Sequence, residues 1–503
     1  MLGRIFQTLA VIGLVAVLPA CGRGGCEGPT MNMSLLSSLR ETTAPVTGPK
    51  AFLILPNPID ATSNPLASVS SSAVLSAGRT QMLPGLLSPT RLDNAFLKIR
   101  IKDITDALST LATPNSNGNF AFQPTDVHYS ETMAYRSVAA AQRYLEGLGF
   151  SINKQRSLYV MVQASGSTEA NAYYDHGYLN PSAPRTIRVY GAGQYAPGMD
   201  QDIYWHEFGH LVNESISADR GIDYAGDTGS VFSEGGALHE CLADYLAESM
   251  SDRPYIGKWI ARNIAGYAAG EPLRSAQDSG GRLRFSDVAV ADGTGGIPGR
   301  YGMGEWCSRV LWQVRQEFVG DRGEEDGAIL SDRLIFSAVS LLTRDTSMSQ
   351  FKNALLQADE KLHCGGYESA INNAFTARGF QAASSLSQTL KLTATPVKST
   401  GDASGTPIAF KLSIQNTNAQ LARNVRVRLE SKDARLRVLT YQQAYGDMEA
   451  GQTINVGTPT GLTMDFSVLG QVDTSLKGVS LPYTLKVISE NGTDTVFNGA
   501  VQL

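Results

Sequence analysis

An excess of positive charge is the first thing this sequence lacks. Its 42 lysines and arginines stand against 47 aspartates and glutamates, a formal net charge of −5, so no basic surface for nucleic acid is implied. A membrane-crossing run is missing too, because the apolar stretch from Ile5 to Leu18 is too short to span a bilayer comfortably. Histidine is scarce, six in 503 residues, so two of them spaced four apart around a glutamate are not readily an accident of composition. What is present is ordinary for a soluble globular chain: 42% hydrophobic and 18% charged residues, with 50 glycines pointing to many loops. The length argues for more than one domain, since single cores rarely grow beyond about 250 to 300 residues.

Those two histidines lie in His206-Glu207-Phe208-Gly209-His210. On a helix of about 3.6 residues per turn His206 and His210 share a face, while Glu207, rotated by roughly 100°, reaches a water on any ion they hold. His-Glu-x-x-His is the spacing of a zinc hydrolase. Apolar Tyr204, Trp205, Leu211 and Val212 predict a buried helix over about 200 to 216, with Asp200 or Asp202 as its cap. Zinc needs a third protein ligand and, for catalysis, an open fourth position. Glu240 is the best candidate, in a segment whose Leu238, Cys241, Leu242, Tyr245 and Leu246 recur at helical spacing. Asp244, one turn on, is placed to accept the free ring N–H of a zinc histidine. His239 reads as a structural or rim residue, and His128, His176 and His363, which have no partners in the sequence, as ordinary surface or loop residues.

Taken together these motifs resemble the thermolysin-like glutamate zincins, and their fungalysin branch in particular. Gly236, Ala237, Glu240 and Asp244 match that group's third-ligand helix position by position. Asn171-Ala172-Tyr173-Tyr174 resembles its edge strand, and the resemblance implies that Asn171 and Ala172 hold substrate backbone. Arg274, in Leu273-Arg274-Ser275, matches the arginine on the substrate carbonyl side. Where the group carries a histidine for the transition-state oxyanion this chain has Tyr301, a phenol that donates a hydrogen bond but carries no positive charge, with Arg300 beside it. Roughly residues 50 to 382 are covered. Calcium is a second ion such enzymes bind, with Asp219, Asp223 and Asp227 as candidate ligands and a solvated acidic loop as the alternative. The large inhibitory propeptide of secreted members is not evident.

Residues 1–20 read as a signal peptide. Leu18-Pro19-Ala20-Cys21 resembles a bacterial lipobox, which makes Cys21 the lipidated amino terminus of an outer-membrane lipoprotein at the cell surface or periplasmic face. The other cysteines, Cys26, Cys241, Cys307 and Cys364, allow three full pairings. Cys241 reads as a buried packing residue, and Cys307 with Cys364 is one possible pair. From about Leu386 alternating apolar residues at Phe410, Leu412 and Ile414, at Val425, Val427 and Leu429, and at Leu485 and Val487 before an Asn491-Gly492 turn, predict a β-sandwich.

The expected architecture is therefore α+β. A tether and leading segment occupies 21–94; a metallopeptidase lobe of mixed sheet and zinc helices 95–250; a mainly helical lobe 251–382; and an immunoglobulin-like β-sandwich 386–503. The expected activity is zinc endopeptidase, with His206, His210 and Glu240 as ligands, Glu207, Arg274 and Tyr301 as catalytic groups, and a polypeptide as partner. The alternatives are a catalytically weak zinc scaffold that binds a surface, and a zinc amidase of cell-wall peptide. Oligomeric state is not read from the sequence.

Overall fold

The computed structural model describes residues 33, 36, 48–101, 111–152, 156–163, 171–175, 184–191, 197–217, 233–264, 266–278, 283–289, 299–343, 346–381, 383–398, 407–431, 433, 436–438, 442–456, 465–468 and 479–502. Cys21, Cys26, His176 and the candidate calcium residues Asp219, Asp223 and Asp227 lie outside them. The chain is α+β, and among the described residues no helix is long and apolar enough to cross a membrane.

A short antiparallel pair, β1 (Lys50–Leu53) with β2 (Arg79–Met82), precedes the main sheet. Leu53, Ile54, Leu83 and Leu92 are buried in the same core as that sheet, so from β1 onward the leading segment is built into the body. The sheet has the order β3 (Leu97–Ile101), β4 (Leu158–Val162), β6 (Arg185–Val189), β5 (Ala172–Asp175). The first three are parallel and β5 is antiparallel to β6 at the edge. The continuous apolar run of β4 suits a strand covered on both faces, and one covering element is α1 (Val127–Gly147), capped by Asp126 and buried along most of its length. Next come α2 (Gln201–Ile216) and α3 (Glu234–Ser251), then α4 (Arg300–Arg322), α5 (Glu324–Val339), α6 (Met348–His363) and α7 (Glu368–Ala377). A two-stranded ladder of β7 (Tyr255–Ile256) and β8 (Arg274–Ser275) lies between α3 and α4.

Among the described residues every element after α7 is a strand. One antiparallel sheet contains β9 (Lys391–Lys398), β10 (Pro407–Gln415), β12 (Leu436–Val438), β14 (Thr453–Val456) and β15 (Asp465–Val468); the other has the order β13 (Gln442–Met448), β11 (Ala422–Glu430), β16 (Ser480–Ile488), β17 (Thr495–Gln502). Phe410, Leu412 and Ile414 from the first and Val425, Val427, Leu429, Leu485 and Val487 from the second share one apolar core. Strand β13 is buried along its whole length, with Ala444 in the core of the preceding helical and sheet body and Tyr445 and Met448 in the core between the two sheets. That strand joins the two bodies.

Cysteine pairing differs from the reading above. Cys241 on α3 is bonded to Cys307 on α4, with their Cα atoms 5.6 Å apart. It is not a free packing residue, and Cys307 does not pair with Cys364. Two histidines also have partners that the sequence did not reveal: His128 Nδ1 lies 2.5 Å from Oε2 of buried Glu131, and His363 packs against the rings of Phe318 and Tyr367.

Candidate metal centre and cleft

Helix α2 begins where its sequence places it. Asp200 is the N-cap and its carboxylate accepts from Asp202 N–H, the usual way to satisfy a first-turn donor. The two acids are buried and tied outward: Asp202 pairs with Arg253 at 2.8 Å, and Asp200 accepts from Trp259 N–H at 3.2 Å. Tyr204 O–H and Trp205 Nε1–H then donate to carbonyls of Ser130 and Ser137 on α1, at 3.2 and 3.0 Å. Held at its start and along one side, α2 presents His206, Glu207 and His210 on the other.

Helix α3 starts at Ser233, whose hydroxyl accepts from Gly236 N–H at 2.8 Å. It lies unusually close to α2, because a Cβ on Gly209 would stand 2.7 Å from the Cα of Ala243. Gly304 does the same for α4, where an added Cβ would stand 3.0 Å from Glu240 Cβ. Only hydrogen at these two positions lets the helices approach so near. The approach brings Glu240 Oε2 to 3.6 Å from His206 Nε2 and 3.9 Å from His210 Nε2, and the three atoms lie within 4.8 Å of one another. Donors about 2.0–2.1 Å from a tetrahedral zinc stand about 3.3 Å apart, so a small inward movement closes this triangle on an ion. Glu240 Oε2 is buried and accepts no hydrogen bond among the described residues. A bare carboxylate oxygen facing two imidazole nitrogens is a donor set that fits zinc.

Each of the three candidate ligands has a support. Asp244 Oδ1 lies 2.7 Å from His206 Nδ1, the carboxylate–histidine arrangement anticipated from helical spacing. Burial opposes a charge on His206, but the hydrogen bond and charge of Asp244 outweigh it and raise its pKa. Burial would raise Asp244; Arg274 and His206 overcome it and bring the carboxyl down to about 2. His210 is held well below the usual histidine range by burial and by the neighbouring His239, His206, Arg274 and Arg300, which keeps it neutral, as a ligand must be. Its Nδ1 faces the Nδ1 of His239 at 2.5 Å. Glu240 Oε1 has the Arg300 guanidinium at 3.6 Å. Glu207 is buried and pushed up to about 7, by burial first and then by the charge of Glu240, against the opposing effect of His206.

Arg274 comes from β8 and grips Asp244 with two hydrogen bonds of 2.6 and 2.7 Å. It reaches His206 both through Asp244 and directly, with Nη2 3.3 Å from His206 Nδ1, while also lining the cleft. Tyr301, half exposed on the first turn of α4, accepts from Arg300 Nη2 at 2.9 Å, and the Arg274 guanidinium stands 5.8 Å from its ring. Asn171 and Ala172 lie where β5 forms an edge of the sheet among the described residues, and Asn171 Oδ1 accepts from Ala172 N–H at 2.9 Å. Arg274, Arg300, Tyr301, Asn171 and Ala172 border one cleft of about 660 Å³ with His206, Glu207, His210 and Glu240, and its lining also includes the apolar side chains of Ile203, Ile260, Ile264 and Leu273.

Sequence reasoning missed two contacts here. His239 reads from the sequence only as a structural or rim residue, and its contact with His210 has no signal there beyond an imidazole next to a candidate ligand carboxylate. Arg300 was noticed only as a neighbour of Tyr301, and its reach to Glu240 depends on how α4 docks on α3.

Residues 160–383 match the family model described as Fungalysin metallopeptidase (M36). The match includes every metal, catalytic and edge-strand candidate named above. That family is one of metallopeptidases, and the match implies zinc-dependent peptide hydrolysis for this region. No curated protein matches the chain.

Proposed function

We propose that this protein is a zinc endopeptidase acting outside the cytoplasm, with a two-lobed zincin body, an immunoglobulin-like β-sandwich after it, and a lipid anchor at Cys21. The observation that carries the activity is the convergence of His206 Nε2, His210 Nε2 and Glu240 Oε2 beside a buried Glu207 at the floor of an open cleft. Zinc, when bound there, supplies a Lewis acid that polarises both a water and the scissile carbonyl.

The chain's own groups do the rest. An extended peptide lies along β5 as an added strand, with Asn171 and Ala172 at its edge. Glu207 takes a proton from the attacking water as its oxygen bonds to the carbonyl carbon, then delivers that proton to the leaving nitrogen as the C–N bond breaks. A carboxyl whose pKa stands at about 7 suits both halves of that exchange. Asp244 orients His206. Arg274 faces the carbonyl side of the substrate, and Tyr301 donates a hydrogen bond from its hydroxyl to the developing oxyanion. Because the lining of the cleft includes Ile203, Ile260, Ile264 and Leu273, the last of them the chain neighbour of Arg274, the residue following the cut is apolar.

Glu207→Gln tests the assignment: the variant binds zinc and fails to cleave casein, whereas the wild type cleaves it and loses that activity reversibly with a chelator. Equal cleavage by both forms sinks Glu207 as the base. Tyr301 in the place of the group's oxyanion histidine favours one second reading, a catalytically weak zinc scaffold that binds a surface; it predicts zinc binding with no chelator-sensitive proteolysis of any peptide in a library.

A further inference from the structure

We infer that His239 is the positioning residue of His210, the acceptor that fixes which nitrogen of this metal histidine is bare. The inference rests on the zinc site proposed above. His210 Nδ1 and His239 Nδ1 stand 2.5 Å apart, with the two rings near-parallel at 12° and their centroids 4.6 Å apart. Two ring nitrogens at that distance share a hydrogen bond, so one carries the proton and the other offers a lone pair. His210 turns its other nitrogen, Nε2, toward Glu240 Oε2. A nitrogen that takes a cation is unprotonated, so the proton of neutral His210 sits on Nδ1. His210 therefore donates and His239 accepts, which places the proton of His239 on its own Nε2.

His239 is built for this role. It is buried, and its carbonyl accepts from Asn213 Nδ2 at 3.2 Å, which ties its backbone to α2 within one turn of His210. It is not one of the residues whose donor atoms converge, and its Nδ1 meets Nδ1 of His210, not the converging Nε2. The two metal histidines thus have supports of different charge: the Asp244 carboxylate for His206 and a neutral imidazole for His210. An apolar side chain at position 239 would fill the volume but offer no acceptor, leaving His210 free to place its proton on Nε2 and block the metal.

The experiment uses the full chain and two readouts other than catalysis: zinc affinity by competition with a chromophoric chelator, and the ring tautomer of His210 from ¹⁵N NMR of histidine-labelled, metal-free protein. The wild type should show His210 protonated at Nδ1. His239→Leu should weaken zinc about 10–100-fold, the usual effect of losing such a support, and mix the tautomers. His239→Asn, which retains an acceptor oxygen, should recover most of both. Wild-type His210 found protonated at Nε2 overturns the inference, even if His239→Leu does not fold; so does a folded His239→Leu with unchanged zinc affinity and tautomer. A wild type that shows the expected zinc affinity and tautomer but cleaves no peptide sinks the peptidase reading and supports this one.

Discussion

Glu207 carries a pH dependence that belongs to a single residue. Its carboxyl stands at about 7 in the fold against an ordinary 4.5, chiefly because burial disfavours its ionised form. A raised folded-state pKa means that stability is full below the unfolded value and is lost as pH climbs through the folded one. Chelator-treated protein should accordingly lose about 3 kcal/mol on this account between about pH 4.5 and 8, and Glu207→Gln should flatten that slope. Urea midpoints at pH 5 and pH 8 measure it; a slope unchanged in the variant refutes the burial argument. The chemistry of His206, Glu207 and His210 was readable because helical spacing within five residues is local geometry. The same rule placed Asp244 one turn after Glu240. His239 escaped it, because nothing local says that a side chain on α3 meets one on α2.

Two glycines and one disulfide set how the helices pack. The periodicity of Leu238, Cys241, Leu242, Tyr245 and Leu246 announced α3, and Asp200 or Asp202 announced the start of α2, since apolar stripes and caps are written within a few residues. How near the helices come was not written there. Gly209 lets α2 rest on Ala243, and Gly304 lets α4 rest on Glu240. Cys241 and Cys307 then join α3 to α4 across 66 residues of sequence. Closing a loop of that length restricts the unfolded chain enough to stabilise the fold by about 4 kcal/mol. The double variant Cys241→Ala/Cys307→Ala should lose a comparable amount in urea denaturation; a loss under about 1 kcal/mol would mean that packing alone holds these helices. The sequence left this pairing open because a disulfide depends on Cα separation across two helices, and four cysteines do not choose among themselves.

At the scale of the whole molecule, the C-terminal sheets are bound to the helical and sheet body through a buried cation. Arg423 on β11 is almost fully buried, pairs with Asp447 at 2.8 Å, and has Glu490 and Glu234 each at 3.7 Å. Glu234 opens α3, the helix that carries Glu240. The guanidinium also stands 4.4 Å from the ring centre of Phe285 and 4.8 Å from that of Phe380. Burial pushes Glu234 up to about 8 and Asp447 to about 6, against the pull of Arg423. Removing the cation leaves buried carboxylates uncompensated, so Arg423→Met should destabilise the protein by about 3–5 kcal/mol. Urea denaturation followed by tryptophan fluorescence would read this, since Trp306 lies beside Phe285 and Phe380; a loss below about 1 kcal/mol would make the joint incidental. By itself the sequence determined α2 and α3, the alternating strands after Leu386, the pair of histidines with its glutamate, and the third carboxylate with its neighbour one turn on, because each is a pattern of period about 3.6 or 2 within a single segment. Only the tertiary structure decided that those groups converge, that His239 supports His210, that Cys241 pairs with Cys307, and that Arg423 joins the two bodies. Each of these depends on the approach of segments far apart in the chain, fixed by where a missing side chain or a buried charge lets two surfaces meet.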